Sequence, residues 1–94
     1  MPEITTDHDA DGSRYVALLD GRPIGEARYT DAGDERTFTH TTIDRDQEGN
    51  GYGTALIRAA LDDTRQAGLT PIGQCPMVGR FLEKHPEYAR PAAS

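Results

Sequence analysis

The sequence IDRDQEGNGYGTAL, residues 43–56, joins the end of a predicted strand to the start of a predicted helix through a loop with three glycines. Gly49, Gly51 and Gly53 carry no Cβ, so this backbone can approach a ligand closely and point successive N–H groups at it. The N-terminus of the following helix adds a partial positive charge. Both features suit a phosphate or pyrophosphate. A plain turn uses the same residues, so the spacing leaves both interpretations open.

Two better-known phosphate loops do not fit this stretch. A Walker loop ends in Gly-Lys-Ser/Thr, whereas Gly53 is followed directly by Thr54. A dinucleotide fingerprint needs G-x-G-x-x-G, and counted from Gly49 or Gly51 the third glycine falls on Thr54 or Leu56. The loop therefore belongs to neither class.

Three strands are predicted before the loop. Residues 14–19 (RYVALL) and 24–29 (IGEARY) have strand-like patterns and are separated by Asp20-Gly21, a strong signal for a tight hairpin. The third strand covers residues 37–43, which are rich in β-branched side chains, with Phe38 and His40 expected on one side. Tight turns between the three predict an antiparallel meander.

A helix, a strand and a second helix are predicted after the loop. Residues 54–67 have the spacing of an amphipathic helix, which Gly68 ends. The face expected to be buried holds Leu56, Ile57, Ala60, Leu61 and Thr64. A strand over residues 69–75 follows, parallel to the third because a helix separates the two. The last helix starts at Pro76 and stops at Pro86.

The elements follow the order β-β-β-α-β-α, which predicts an α+β fold whose sheet is mostly antiparallel with one parallel pair. A chain of 94 residues is long enough for one domain and too short for two. We expect a flexible N-terminal segment over residues 1–12, a single domain over residues 13–90 and a C-terminal tail over residues 91–94.

Charge and composition exclude several classes of protein. The net charge is −6, to which residues 1–48 contribute −7 (12 acids, 5 bases) and residues 49–94 contribute +1 (4 acids, 5 bases). An acidic chain argues against nucleic-acid binding, while the near-neutral second half leaves room for an anionic ligand. The short apolar runs and the single Cys75 predict a cytoplasmic domain with neither a membrane span nor an internal disulfide.

Four short motifs in order carry a family resemblance: FTHT at 38–41, EGNGYG at 48–53, QCPMV at 74–78 and HPEY at 85–88. Together they resemble the short acetyltransferase-like branch of the GCN5-related N-acetyltransferases. The resemblance implies that family's fold, with the parallel strand pair at the cofactor cleft, and binding of acetyl-CoA. It also implies direct transfer of the acetyl group to a primary amine of unknown identity, with CoA as the product.

The resemblance also implies where acetyl-CoA binds. The pyrophosphate is expected on the backbone N–H groups of Gly49, Asn50, Gly51, Tyr52, Gly53 and Thr54. The pantetheine arm is expected beside Thr42 and Ile43, with Cys75 at the cofactor cleft. Glu48 stands where the family pattern has Arg or Gln, so a carboxylate is expected near the pyrophosphate unless it points outward or pairs with an arginine.

Three side chains are candidates for the chemistry of transfer, and each has a structural alternative. His40 could take the proton of the amine near neutral pH, or pack within the sheet. Cys75 could accept the acyl group, line the cleft or fill the core. Tyr88 could donate a proton to the leaving thiolate, or anchor the C-terminus. No metal site is predicted, because the sequence has neither a histidine pair at i, i+4 nor a complete calcium loop.

The acceptor side of the cleft is expected to be open. Members of the family usually carry extra helices between their first two strands, whereas here that connection is Asp20-Gly21. An open site suits a peptide, a protein tail or a polyamine, bound by a monomer or weak dimer. Two alternatives are a CoA-binding module without catalysis and an interaction domain whose glycine loop is only a turn.

Overall fold

A five-stranded mixed sheet with two helices on one face makes up the fold of residues 4–90, which a computed structural model describes. The strands and helices are β1 Ile4–Asp9, β2 Arg14–Leu19, β3 Arg22–Ala32, β4 Glu35–Ile43, α1 Tyr52–Gln66, β5 Thr70–Gly73 and α2 Pro76–Lys84. Short 3-10 helices, Arg45–Gln47 and Pro86–Ala89, follow β4 and α2.

The strands lie in the sheet in the order in which they occur along the chain. β1 to β4 are antiparallel neighbours, and β5 pairs parallel to β4 after the crossover through α1. In the parallel pair Glu35 lies opposite Thr70 and Phe38 lies opposite Gly73. The predicted α+β architecture with one parallel pair is confirmed, and the structure adds one strand before the others.

The added strand corrects the prediction of a flexible segment over residues 1–12. Residues 4–9 pair with β2 along their whole length. On the helix side, the imidazole of His8 stacks on the ring of Tyr15 with centroids 4.3 Å apart. The sequence pattern does not reveal this strand, because its polar residues, with Asp7 and Asp9 at alternate positions, are typical of a solvated segment.

The turn between β1 and β2 covers residues 10–13. The short connection between the first two strands is therefore this turn, and Asp20-Gly21 instead joins β2 to β3. Residues 1–3 and 91–94 lie outside the described residues, so the structure does not address the predicted C-terminal tail or the first three residues of the predicted flexible segment.

Both helices bury their apolar sides against the same face of the sheet. In α1 the five residues expected to face the core are the five that are buried, so that prediction is confirmed. In α2 the buried residues are Val78 and Phe81. The sheet contributes Tyr15, Ala17, Ile24, Ala27, Tyr29 and Phe38 to this core.

A bulge in β4 changes which side chains face the helices. The register with β3 leaves Thr39 without a partner between Phe38 and His40. Because side chains alternate along a strand, the extra residue places Phe38 on the helix side and His40 on the opposite side. Phe38 is buried and His40 is exposed. The prediction that these two residues share a side was wrong, and Thr41 and Ile43 take the helix side instead.

Candidate functional site

A gap opens beside β4 where its pairing with β5 ends. The parallel pairing of the two strands ends at Phe38 and Gly73. The backbone N–H groups of Gln74 and Cys75 then both donate to the carbonyl of Phe38, at 3.1 and 3.0 Å, and α2 begins directly after them. Beyond Phe38, β4 therefore has no neighbouring strand on this side within residues 4–90.

The open edge of β4 presents backbone polar groups to this gap. In a strand the direction of the side chain and the direction of the backbone N–H and C=O groups alternate together. Phe38 faces the helices and directs its carbonyl toward β5, whereas Asp44 N–H donates the other way, to the carbonyl of Ile24 at 2.6 Å. Thr41 and Ile43 face the helices as Phe38 does, so their backbone groups point into the gap.

A cavity of about 420 Å³ lies between this edge and the start of α1. Its lining comes from Thr41–Ile43 of β4, from the loop over residues 47–53, and from Met77 of α2. This volume falls within the range of small-molecule sites. The open edge of β4 and the glycine loop therefore line the same cavity.

The glycine loop has the geometry of an anion-binding backbone. Gly49 and Gly51 have φ of 85° and 79°, in the left-handed region that glycine occupies without strain. Gly51 is the N-cap of α1 and provides no side-chain cap, so the first N–H groups of the helix are not covered by a cap. A Cβ on Gly53 would come within 3.0 Å of Met77 Cε, so a larger residue there would displace the methionine side chain.

Most of the predicted cofactor residues line this one cavity. Thr42, Ile43, Gly49, Gly51, Tyr52 and Gly53 are all in its lining. The side chain of Asn50 is exposed and its Nδ2 donates to the carbonyl of Gln47 at 3.3 Å. Thr54 lines a neighbouring cavity and not this one. The assignment of individual residues to a ligand stays a prediction, while the grouping of most of them in space is observed.

Glu48 is also among the residues that line the cavity. None of the ion pairs within residues 4–90 joins it to Arg45 or Arg58, the arginines that could have neutralised it. Glu48 is exposed at a site whose backbone geometry favours an anion, where its charge would oppose an anionic ligand.

Cys75 lies two residues after the end of β5, beside β4. Its side chain is buried, and its Sγ is 3.3 Å from Oγ1 of Thr41, a residue of the cavity lining. Cys75 is also the N-cap of α2, held by its N–H bond to β4. Cys75 is not itself in the cavity lining, so the thiol packs in the core behind Thr41.

His40 and Tyr88 do not line this cavity. His40 is exposed on the sheet face opposite the helices, where its Nδ1 is 3.3 Å from Thr39 Oγ1. Tyr88 packs against the ring of Phe81, with centroids 5.2 Å apart, and the guanidinium of Arg65 lies 5.0 Å from its ring. The structure therefore does not bring the three predicted catalytic side chains together.

Met77 and Gln47 are lining residues that the sequence did not indicate. Met77 falls outside the apolar face of α2 and is 42% exposed, which is unusual for a large apolar side chain. The signal that the sequence offers for Met77 is its position off the apolar face of α2, two residues after Cys75 at the predicted cleft. Gln47 carried no such signal, because its position depends on the 3-10 turn Arg45–Gln47.

A second group of polar side chains holds the far end of α1 to the sheet. Arg36 Nη1 donates to the Tyr15 hydroxyl at 2.7 Å, and this hydroxyl donates to Asp63 Oδ2 at 2.6 Å. Burial raises the pKa of Tyr15 above its usual range. The bidentate hydrogen bond from Arg36 holds the pKa of Asp31 below its usual range. Asp63 is near the end of α1 and the cavity is at its start, so this cluster is structural.

Two further observations concern only the described residues. Within residues 4–90, neither helix has the length and apolar character needed to cross a membrane. The same residues contain no group of three or more His, Cys, Asp or Glu side chains placed to hold a metal ion.

Comparison with protein families gives one match over most of the chain. A family model described as GCN5-related N-acetyl-transferase matches residues 14–91. A search among curated proteins finds no match.

The fold is also found in solved structures, three of which are compared with this chain. A GCN5-like protein from Staphylococcus aureus, solved by NMR, is 21% identical with a TM-score of 0.67, over 98% of this chain and 88% of that chain. The ribosomal-protein-S18-alanine N-acetyltransferase from Escherichia coli is 16% identical with a TM-score of 0.60, over 74% of this chain and 63% of that chain. N-acetylglutamate synthase from Neisseria gonorrhoeae, solved with coenzyme A and N-acetyl-glutamate, is 16% identical with a TM-score of 0.63, over 86% of this chain and 22% of that chain.

At these identities the similarity establishes the fold alone. The chain spans less than two thirds of the length of the Escherichia coli and Neisseria gonorrhoeae enzymes.

Proposed function

The chain belongs to the GCN5-related N-acetyltransferase family, and on that premise we propose that it binds acetyl-CoA in the cavity between β4 and α1 and transfers the acetyl group to a primary amine. The observation that carries the proposal is that one cavity joins the glycine loop to the open edge of β4. CoA has a part that matches each of these: an anionic pyrophosphate and a pantetheine arm that contains amide groups.

The pyrophosphate binds to the backbone of residues 49–54. The first N–H groups of α1 have no side-chain cap, and the left-handed Gly49 and Gly51 leave open space where side chains would otherwise stand. Asn50 and Thr54 are not in the cavity lining, so the contribution proposed for them is limited to backbone N–H groups at its border. This mode of binding needs no particular side chain, so it tolerates Glu48 at a cost in affinity.

The pantetheine arm lies along β4 and continues the sheet past the end of β5. The backbone groups of Thr41 and Ile43 point into the gap, so they can pair with the amides of the arm as a neighbouring strand would. Thr42 lines the same cavity. The arm therefore occupies the place that β5 leaves when it ends at Gly73.

Bound acetyl-CoA supplies the thioester, and direct transfer joins the acetyl carbon to the amine nitrogen while CoA leaves as the thiol. Cys75 is buried behind Thr41 and is not in the cavity lining, which favours its structural alternative over a reacting thiol. His40 is placed to take a proton only from an acceptor that approaches over the sheet face opposite the helices. Tyr88 is packed against Phe81, which supports an anchoring role.

A flexible cationic amine is the acceptor class that best fits the open side. The turn over residues 10–13 leaves no covering element between the first two strands within the described residues, so the acceptor meets little protein wall. The acidic first half of the chain attracts a positively charged peptide or polyamine. The Escherichia coli enzyme, whose name gives it an alanine of a ribosomal protein as substrate, is consistent with a peptide acceptor.

Calorimetric titration with acetyl-CoA and CoA tests the cofactor, with the variants Gly51→Glu and Gly33→Glu as a matched pair. Both glycines have positive φ, of 79° and 61°, and a Cβ on either meets nothing within 4 Å. Each variant therefore carries a similar backbone strain of about 1–2 kcal/mol. Only Gly51 lines the cavity, so we expect at least about tenfold weaker binding for Gly51→Glu and unchanged binding for Gly33→Glu. Equal affinities in both variants would refute the proposed site.

Release of thiol from acetyl-CoA in the presence of a panel of amines tests the transfer itself. A specific observation favours the second candidate, a CoA-binding module without catalysis: the ionisable side chains in the described lining are Glu48 and Tyr52. Tight binding without thiol release would establish that module. Turnover that is unchanged in Cys75→Ala would exclude the thiol as a reacting group, and loss of turnover at unchanged affinity would make it one.

A further inference from the structure

A second cavity, of about 280 Å³, adjoins the first across Met77. Met77 lines both cavities, and the consecutive residues Gly53 and Thr54 line one each. The ridge between them is therefore the contact of Met77 with Gly53, at the first turn of α1. Any ligand whose phosphate groups bind the start of α1 lies directly beside both cavities.

The second cavity combines an apolar floor with a basic rim. Ile57 and Phe81 form the floor and are both buried, at 3% and 7% exposure. Arg80 and Lys84 are exposed on the rim, one turn apart on α2. No carboxylate is in the lining, and none of the ion pairs formed within residues 4–90 involves Arg80 or Lys84.

We propose that this second cavity receives the adenosine end of CoA and that Arg80 and Lys84 bind its 3′-phosphate. The inference rests on the proposed function, because it takes the pyrophosphate to be bound at the start of α1. The adenosine end is attached to the pyrophosphate opposite the pantetheine arm. With the arm in the first cavity, the adenosine end extends past Met77 toward the second cavity. That end consists of an aromatic base and a phosphomonoester, which match an apolar floor and a basic rim.

The charges support the same assignment. A phosphomonoester carries a charge of about −1.5 to −2 at neutral pH, and guanidinium and ammonium groups are its usual partners. The chain as a whole has net charge −6, so an anionic ligand gains little from the overall field. Arg80 and Lys84, which have no carboxylate partner among residues 4–90, lie beside an apolar floor and provide a local attraction that the acidic first half of the chain does not.

The test is a thermodynamic cycle with two ligands and two proteins. Calorimetry measures CoA and 3′-dephospho-CoA against the wild type and against the double variant Arg80→Gln/Lys84→Gln, in buffer of physiological ionic strength. Each exposed ion pair changes an affinity by about two- to fivefold, so two pairs together give the wild type about a tenfold preference for CoA. The double variant should lose that preference while it binds 3′-dephospho-CoA as the wild type does. Arg22→Gln, which removes one positive charge at an exposed residue that lines neither cavity, is the control and should keep the preference.

The outcomes separate this inference from the function on which it rests. Equal affinity of the wild type for the two ligands, or a preference that survives in the double variant, overturns the assignment of Arg80 and Lys84 and leaves the cofactor proposal intact. Failure of both ligands to bind the wild type overturns the cofactor proposal and this inference with it. If Arg22→Gln loses the preference to the same extent, overall charge is the cause of the preference, and the assignment is overturned as well.

Discussion

Replacing Gly73 with alanine tests how closely α2 is held against the sheet at the mouth of the candidate site. Gly73 is the last residue of β5, and an ideal Cβ on it would lie 2.7 Å from the backbone N of Gly79 and 2.9 Å from its Cα. Ordinary van der Waals contact begins at 3.4 Å, so α2 must move away by about 0.7 Å. Both clashing atoms belong to the backbone, so no side-chain rotation relieves the contact.

The size of the effect follows from this clash. Forcing one extra carbon into a well-packed site costs about 1–3 kcal/mol. For a domain of this length each kcal/mol lowers the midpoint of thermal unfolding by about 4–8 °C, so a central value of 2 kcal/mol predicts a loss of about 8–16 °C. Because α2 carries Met77 and begins beside Cys75, the same displacement widens the candidate cleft, and acetyl-CoA affinity should fall along with stability.

Gly79→Ala is the matched control, because it places a methyl group on the other side of the same contact. A Cβ on Gly79 would meet only the carbonyl oxygen of Gly73, at 3.3 Å, and alanine is better than glycine inside a helix by about 1 kcal/mol. We expect its unfolding midpoint to stay within about 5 °C of the wild type. Thermal unfolding followed by circular dichroism measures both variants. A Gly73→Ala midpoint within about 2 °C of the wild type would refute the close packing of α2 on β5.

Two further predictions concern the polar groups that hold the sheet and α1 together. Tyr15→Phe removes a buried hydroxyl that is hydrogen-bonded to Arg36 and Asp63, so it should lower the free energy of unfolding in urea by about 2 kcal/mol. The control is Tyr88→Phe, whose hydroxyl has no hydrogen-bond partner within residues 4–90, and it should cost less than about 0.5 kcal/mol. Equal costs would contradict the network. Hydrogen bonds from arginines lower the pKa values of Glu26 and Asp31 in the folded state, so the unfolded chain takes up these protons first. The stabilisation is complete above the unfolded values of about 4 and is lost as the pH falls below them, and a thermal midpoint that stays constant between pH 5 and pH 3 would contradict this.

The sequence predicts most of the fold because most of its elements are encoded locally. The buried face of α1 is readable from the spacing of five residues, and all five are buried. The order from β2 to α2 follows from turn residues and from the change of hydrophobic period. The glycine loop is visible for the same reason: its special backbone angles demand glycine at particular positions.

What the sequence does not predict depends on partners that are distant along the chain. β1 is a strand because β2 offers it a neighbour and because His8 stacks on Tyr15, and neither contact appears in the sequence pattern of residues 1–12. The bulge at Thr39 is set by the register with β3. That one extra residue turned His40 out of the cleft, so a candidate base chosen by strict alternation was placed on the wrong side.

The position of the two cations Arg80 and Lys84 at the candidate site also depends on contacts that are distant along the chain. Met77, Arg80 and Lys84 are three and four residues apart, a spacing that places them on one side of a helix and that the sequence alone shows. Their position beside the glycine loop is not shown by the sequence, because it depends on the turn of the chain after Gly73 and on the backbone contact of Gly73 with Gly79. The two cations of α2 border the candidate site only while that contact holds. Gly73→Ala should therefore weaken the preference for CoA over 3′-dephospho-CoA as well as the fold, and Gly79→Ala should keep both.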